Sequence, residues 1–414
     1  MEKIKLFKSF SAILIPIIIM CLLFTSCEEY PNAYKSTDGI PEVFYVRYTS
    51  LDEAERYLDG AFMGEVVCIV GNNLRSVHEV YFNDQKAVLN TSFITDNTLI
   101  VGVPGNIPVN VTNKIYLITY NGQKVDFNFK TKVPPPIVAA ISCEYAPEGS
   151  EAVLYGDFLI DDPNVPLKIT FAGNIPVTEI IEVEKTKIRF VVPAGVQKGY
   201  ITVETIYGTG RSKFQYKDDR GMILDWDNLN ADGGWRPGRI SAVDGISGKY
   251  VIFSGNLSDG DWNEDNFSFN LWGTANGRPE GDFFDARNLD NLLFKFEINV
   301  LEDWSANAMQ IIFTPWNLSG DNNYIAENGN FKDGYARALW IPWATTGKYK
   351  TDGWITVTIP MKDFVFSPTG KKYEKPNPAG NYGGLTMYVW NGGIEGTPCT
   401  TEMWLDNMRV VEVE

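Results

Sequence analysis

An all-β chain is predicted by three observations. Short runs of β-branched and aromatic residues, punctuated by Gly, Asn, Asp and Pro, recur along the sequence, and the 3.6-residue apolar spacing of a long helix does not. One strand pattern occurs twice. All 11 tryptophans lie beyond Lys217, from Trp226 to Trp404, which marks the last part of the chain as a β-domain of a different kind. Only Asp52 to Leu58 reads as a short helical turn.

At the N-terminus, Lys3, Lys5 and Lys8 precede an apolar run from Ile13 to Phe24 broken by Pro16, and the small residues Thr25 and Ser26 stand before Cys27. This is the order of a cleaved secretory signal over residues 1–26. The run is short for a membrane span, which needs about 20 residues. Leu23-Phe24-Thr25-Ser26-Cys27 resembles the lipobox of bacterial lipoproteins, although Phe24 stands where an aliphatic residue is usual. The competing Cys21 follows bulky Met20 and fits worse. The resemblance implies lipid attachment at Cys27. Glu28 and Glu29 resemble the acidic export signal of Bacteroidetes lipoproteins, implying display on the outer face of the outer membrane; the alternative is an ordinary polar tether. Residues 27–40 read as a flexible tether.

Lysine and arginine total 36 against 52 acidic residues, a formal charge of −16. So acidic a chain, without a basic stripe, repels a phosphate backbone, which excludes nucleic acid as a partner. Cys68, Cys143 and Cys399 are odd in number and lack a CxxC pair, so they suggest neither a disulfide framework nor a zinc site and read as buried thiols. The single histidine, His78, sits in an alternating run and reads as a solvent-facing strand residue. Asn228-x-Asn230-x-Asp232-Gly233 and Asp259-x-Asp261-x-Asn263 look like the start of a calcium loop. Position 12 would be Arg239 or Asn270 instead of a bidentate glutamate, so hydrated turns are expected. Neither a metal nor a cofactor is expected.

The repeat aligns Val67-Cys68-Ile69-Val70-Gly71-Asn72-Asn73-Leu74 with Ala152-Val153-Leu154-Tyr155-Gly156-Asp157-Phe158-Leu159. Val80-Tyr81-Phe82-Asn83 then matches Ile169-Thr170-Phe171-Ala172, and Ile100 to Pro104 matches the run ending Phe190-Val191-Val192-Pro193. The pattern resembles the IPT/TIG family of Ig-like domains, which implies two β-sandwich spacers, over 41–132 and 133–217. In the second copy Asp157 and Phe158 replace the paired asparagines. Pro134, Pro135 and Pro136 between the copies favour an extended, semi-rigid link.

Residues 218–414 form the third domain. Flat aromatic rings stack on the C–H faces of sugars, so a tryptophan-rich β-domain behind a secretion signal suggests glycan binding, with core filling as the alternative for any one ring. Alternation sorts them, because successive strand residues face opposite sides. Phe267, Phe269 and Leu271 read as core, leaving Asn270 and Trp272 outside. Lys295, Glu297 and Asn299 form the outward set of the next strand. Gln310, Thr314 and Trp316 share a non-core face, with Ile312 an exception, and Tyr388 goes with Trp390. Trp304, in a loop, is expected at the rim of this platform. Trp226, Trp235, Trp354 and Trp404 are assigned to the core, and Trp340 and Trp343 read either way.

The runs Gly353-Trp354-Ile355-Thr356-Val357-Thr358-Ile359-Pro360 and Trp404-Leu405-Asp406-Asn407-Met408-Arg409-Val410-Val411 resemble the late strands of jelly-roll carbohydrate-binding domains. With Trp226-Asp227, Gly234-Trp235, Trp304-Ser305 and Trp340 to Trp343, they resemble the C-terminal domain of Bacteroidetes surface glycan-binding proteins of the xyloglucan-binding type. The resemblance implies a lipid-anchored protein that captures a polysaccharide, xyloglucan or another plant or microbial β-glycan, beside a glycan transporter and a second glycan-binding lipoprotein; a monomer without catalytic activity is expected. Trp272, Trp304, Trp316 and Trp390 are expected to stack on sugars, and Asn270, Glu297 and Gln310 to bond hydroxyls. Two rival readings are a glycoside hydrolase, which needs two carboxylates about 5 to 9 Å apart, and a protein-binding adhesin. Glu297 has no evident carboxylate partner, G-x-S-x-G is absent, and one histidine makes a triad improbable.

Overall fold

The computed structural model describes residues 34–413 apart from 164, 229–235, 259–264, 274–277, 319–334 and 395. The signal sequence, Cys27, Glu28, Glu29, Trp235, Trp262 and most of both calcium-like runs therefore lie outside the described residues. The chain divides at Pro134 and Pro135 into two compact units.

In the first unit one four-stranded sheet has the order Tyr57–Leu58, Glu42–Tyr48, Val66–Asn72, Thr98–Gly102, a second the order Gln85–Lys86, Val77–Phe82, Lys114–Thr119, Lys124–Asn128, and Gly60–Phe62 pairs in parallel with Lys130–Lys132. Their inner faces supply Val67, Ile69, Val80, Phe82, Ile115 and Leu117 to one core, at the period of two that strands require. Leu51–Glu53 is a single 3-10 turn, and Tyr57–Leu58 is a strand, so only the start of the expected helical turn is helical.

The second copy of the repeat forms one eight-stranded sheet, joined where Ile137–Ile141 pairs with Gly208–Tyr216, and repeats the strand neighbours of the first copy. Glu151–Asp157 lies between Ile137–Ile141 and Lys187–Val191, as Val66–Asn72 lies between Glu42–Tyr48 and Thr98–Gly102. The shared glycine has a steric cause. A Cβ on Gly71 would stand 1.8 Å from the carbonyl oxygen of Glu42, and one on Gly156 would stand 1.8 Å from that of Ile137. In both copies the pairing register shifts beside this contact, between Val43 and Tyr45 and between Val138 and Ala140. Such a bulge presses one backbone onto its neighbour and leaves room only for hydrogen.

The C-terminal domain is a two-sheet sandwich. Its larger sheet runs Arg239–Ile240, Val251–Leu257, Cys399–Glu412, Leu292–Val300, Ile355–Pro360, with Met222–Leu224 also paired to Cys399–Glu412. The smaller runs Ser268–Leu271, Gly384–Val389, Met309–Thr314, Arg337–Trp340. Phe253, Phe269, Phe294, Phe296, Phe313, Leu385 and Met387 fill the space between. Phe294 meets Phe313 edge to face with centroids 5.7 Å apart, the arrangement ring quadrupoles favour.

The second Ig-like domain packs on the outer face of the larger sheet. The Ser142 carbonyl accepts from Thr356 N–H at 2.9 Å, Glu144 N–H donates to Thr356 Oγ1 at 2.7 Å, and Tyr145 Oη donates to the Asp218 carbonyl at 2.8 Å. Met222, Ile246 and Trp354 of the sandwich lie against the Ig-like core. Cys68 and Cys143 are buried, as expected, whereas Cys399 is half-buried and accepts from Ser305 N–H at 3.4 Å. His78 is exposed beside Tyr120.

Candidate functional site

Strand alternation places the expected platform on the outer face of the four-stranded sheet. Phe269, Met309, Ile311, Phe313, Leu385 and Met387 point inward, and the intervening residues Asn270, Gln310, Ile312, Thr314, Thr386 and Tyr388 point outward. Cross-strand register joins them into rows. Asn270, Thr386, Ile312 and Arg337 form one row, and Ser268, Tyr388, Gln310 and Leu339 the next.

The polar members of these rows are buried, and all but Ser268, whose Oγ accepts from Arg236 N–H at 3.0 Å, are bonded to other members. Thr386 Oγ1 donates to Asn270 Oδ1. Arg337 Nη1 donates to Gln310 Oε1 at 2.9 Å and to Tyr388 Oη at 2.8 Å, while Gln310 Nε2 donates to the carbonyls of Trp390 at 2.7 Å and Pro368 at 3.2 Å. Gln310 is fully buried with its amide engaged on both sides. This corrects its expected role: it braces the floor beneath Trp390 and does not present its amide to a ligand. Asn270, 3% exposed, is likewise part of the floor. Arg337, fully buried, organises it and was missed by sequence reading, because nothing in Arg337-Ala338-Leu339-Trp340 signals a buried guanidinium.

The aromatic members are more open. Trp272 is 36% exposed, and Trp316 and Trp390 are half-buried. Gly273 N–H donates to the Trp316 carbonyl, which brings Trp272 and Trp316 to the same end of the sheet. Arg278 fastens that end through Nη1 to the Gly383 carbonyl at 2.7 Å and Nη2 to the Gly273 carbonyl at 3.1 Å. A Cβ on Gly383 would lie 2.5 Å from that of Trp316, so glycine there lets the tryptophan turn seat against the strand. At the other end Trp390 meets Tyr388 edge to face, centroids 6.3 Å apart. From Gly384 to Trp390 the strand and its extension advance about 20 Å, enough to span several sugar rings.

Two expected site residues lie elsewhere. Trp304 is fully buried: its Nε1 donates to the Ala306 carbonyl at 2.6 Å and its ring lies 5.6 Å from that of Trp340. Backbone bonds in both directions with Tyr349 turn this loop residue into the core, so it is not a rim residue. Glu297 belongs to the opposite sheet and is also fully buried. It accepts two bonds from Arg409, at 2.7 and 2.9 Å, and one from Thr356 Oγ1 at 2.8 Å. Burial pushes its carboxyl up, against the pull of the Arg409 charge. Arg409 also donates to Glu144 of the Ig-like domain at 2.7 Å, and Lys295 pairs with the same carboxylate. The outward set of that strand thus serves a domain junction. Beside it, burial pushes the Asp406 carboxyl up to about 8, against bonds from Ser247 Oγ and Asn407 N–H. Trp226 is in the core as expected, with Trp343, while Trp354 and Trp404 are half-buried in a cluster with Tyr250.

Comparison with known proteins follows the same division. Residues 216–412 match the family described as surface glycan-binding protein B xyloglucan binding domain. A protein of Bacteroides ovatus named IPT/TIG domain-containing protein is 25% identical over 369 residues, covering 84% of this chain and 69% of its own. The crystal structure of a surface glycan-binding protein B from Prevotella bryantii superposes with a TM-score of 0.76 at 32% identity, covering 91% of this chain and 100% of that one.

Proposed function

Because the chain belongs to the surface glycan-binding protein B family, we propose that its C-terminal sandwich captures xyloglucan, or another plant or microbial β-glycan, on the outer face of the four-stranded sheet without cleaving it. The observation that carries this reading is the sorting of the outward residues. The polar groups are locked into a rigid floor, while Trp272, Trp316 and Trp390 keep surface available for stacking at its two ends. A pre-organised face loses little entropy on binding an extended polymer. Absence of cleavage is supported by Glu297, the carboxylate an enzyme would draw on, being held in ion pairs away from this face.

The signal-like N-terminus supports lipid attachment at Cys27, and Glu28 and Glu29 support display outside the outer membrane; membership of the family supports a place beside a glycan transporter and a second glycan-binding lipoprotein. The protein acts as a monomer in this reading. Affinity electrophoresis against a panel of polysaccharides tests the ligand: retardation in xyloglucan is expected, and unchanged mobility in every β-glycan gel sinks the proposal. New reducing ends after incubation would overturn the non-catalytic role. For the anchor, Cys27→Ser is expected to abolish incorporation of labelled palmitate, and shaving of intact cells with protease to remove the wild-type protein.

A further inference from the structure

In the first Ig-like domain the strand Val66–Asn72 opens with an unbroken apolar run, Val66-Val67-Cys68-Ile69-Val70, instead of alternating. A strand with one face in water alternates, whereas a continuous run belongs to strands covered on both faces. The inner set, Val67 and Ile69, lies in the domain core. Cross-strand register puts Tyr57, Arg47, Cys68 and Ile100 in one row of the outer face, with Tyr45 and Val70 in the next. Tyr57 is 67% and Val66 50% exposed, while Tyr45, Val70 and Ile100 are half-buried. The rings of Tyr45 and Tyr57 pack with centroids 4.5 Å apart, which continues the apolar surface to the edge strand.

The second copy of the repeat is an internal control for this face. Glu151, Val153 and Tyr155 occupy the places of Val66, Cys68 and Val70, and Lys187 and Arg189 those of Thr98 and Ile100. Those charges pair in water, Lys187 with Glu184 at 3.0 Å and Arg189 with Glu151 and Glu182 at 3.9 and 4.0 Å. On the first copy the one charge in the two rows is Arg47. It is half-buried, its Nη1 donates to the Tyr48 carbonyl at 2.8 Å, and among the described residues no carboxylate pairs with it. Covering the face takes this guanidinium out of water, which is costly unless a carboxylate meets it. Neither row contains an acidic residue, so two copies of this chain meeting face to face would bury both guanidiniums unpaired. A different protein, with aliphatic side chains for the pleated surface and a carboxylate for Arg47, matches both the shape and the charge.

We propose that the outer face of this sheet is the docking site of a second, different protein, which lays an apolar surface over Tyr57, Val70 and Ile100 and sets one carboxylate against Arg47. Desolvated by the apolar contact around it, that pair fixes the register of docking and rejects partners that lack the acid. The tryptophan platform belongs to the other compact unit, so docking and glycan capture are separable activities.

The test places the photo-reactive residue p-benzoylphenylalanine at Tyr57, and in a second strain at Val66, in the full chain made by its own cells. Irradiation is expected to yield one adduct with a different protein, and mass spectrometry to locate the cross-link in a stretch where apolar residues flank an aspartate or glutamate. Arg47→Glu should lower the yield about tenfold, with the melting temperature of the purified variant unchanged, and exchange of the partner's acid for lysine should restore it. The same probe at Arg189, on the matching face of the second copy, should give no adduct. Absence of an adduct from both positions, cross-linking to a second copy or to lipid, the same adduct from Arg189, undiminished yield in Arg47→Glu, or no recovery on charge exchange would each overturn the proposal. Polysaccharide retention is read separately on the purified chain, so failure here leaves the C-terminal site standing.

Discussion

Trp272 and Trp304 are the same residue type with opposite fates. Trp272 extends an edge strand whose inner neighbours already fill the core, so its ring stays open; Trp304 sits where two loops exchange backbone bonds, and its ring fills the sandwich. Trp272→Ala and Trp316→Ala should each weaken polysaccharide binding by about 2- to 12-fold, the equivalent of ~0.5 to 1.5 kcal/mol per aromatic contact, with melting temperature little changed. Trp304→Ala should instead cost ~3 to 5 kcal/mol of stability, as for other buried aromatics. Calorimetry on the three variants, beside affinity gels, distinguishes the two outcomes. Asp406 gives a pH-dependent counterpart. Its folded-state carboxyl titrates near 8 because it is buried, whereas in the unfolded chain it titrates near the ordinary value of about 3.9. The folded state therefore holds the proton more tightly. The stability this contributes is full below the unfolded value and is lost as pH rises through about 8. Asp406→Asn, which keeps an oxygen for Ser247 and Asn407, should flatten the fall in melting temperature between pH 5 and 9 and make the variant the more stable protein at the alkaline end. A wild-type curve flat over that range would contradict the assignment.

At the scale of elements, the repeated strand ended by glycine is the device that makes each Ig-like domain. Gly71→Ala and Gly156→Ala place a methyl group against a backbone carbonyl that cannot move aside, and each should destabilise its own domain by about 1 to 3 kcal/mol. Denaturation followed by domain-specific probes would reveal this, and a neutral Gly71→Ala would count against the bulge as the cause of the motif. The alternation of the strands was legible, since period two follows from backbone geometry alone and correctly separated Phe294, Phe296 and Ile298 from Lys295 and Glu297. What covers the second face was not legible. Lys295 and Glu297 read as solvent-facing, yet lie beneath the second Ig-like domain, because alternation reports two faces and is silent on what packs against either.

For the molecule as a whole, the junction between the second Ig-like domain and the sandwich decides what moves as one piece. Residues 135–414 form a single compact unit in which Glu144 is held by Lys295 and Arg409, with Arg409 shared by Glu297. Removing one partner of a buried charge network leaves the others uncompensated. Glu144→Ala should therefore cost ~3 to 5 kcal/mol and split a joint thermal transition of these two domains into two in calorimetry. By itself the sequence determined the all-β class, the duplicated unit and the tryptophan-rich third domain, because each rests on periodicity, spacing or composition, and its late strand motifs carried the resemblance that implies a polymer-binding role. Only the tertiary structure decided which tryptophans are open, which polar residues form the floor, and that Glu297 and Lys295 join two domains. Those outcomes depend on contacts between segments tens to hundreds of residues apart, such as Arg409 with Glu144, and a local pattern carries no information about what a distant segment brings to its outer face.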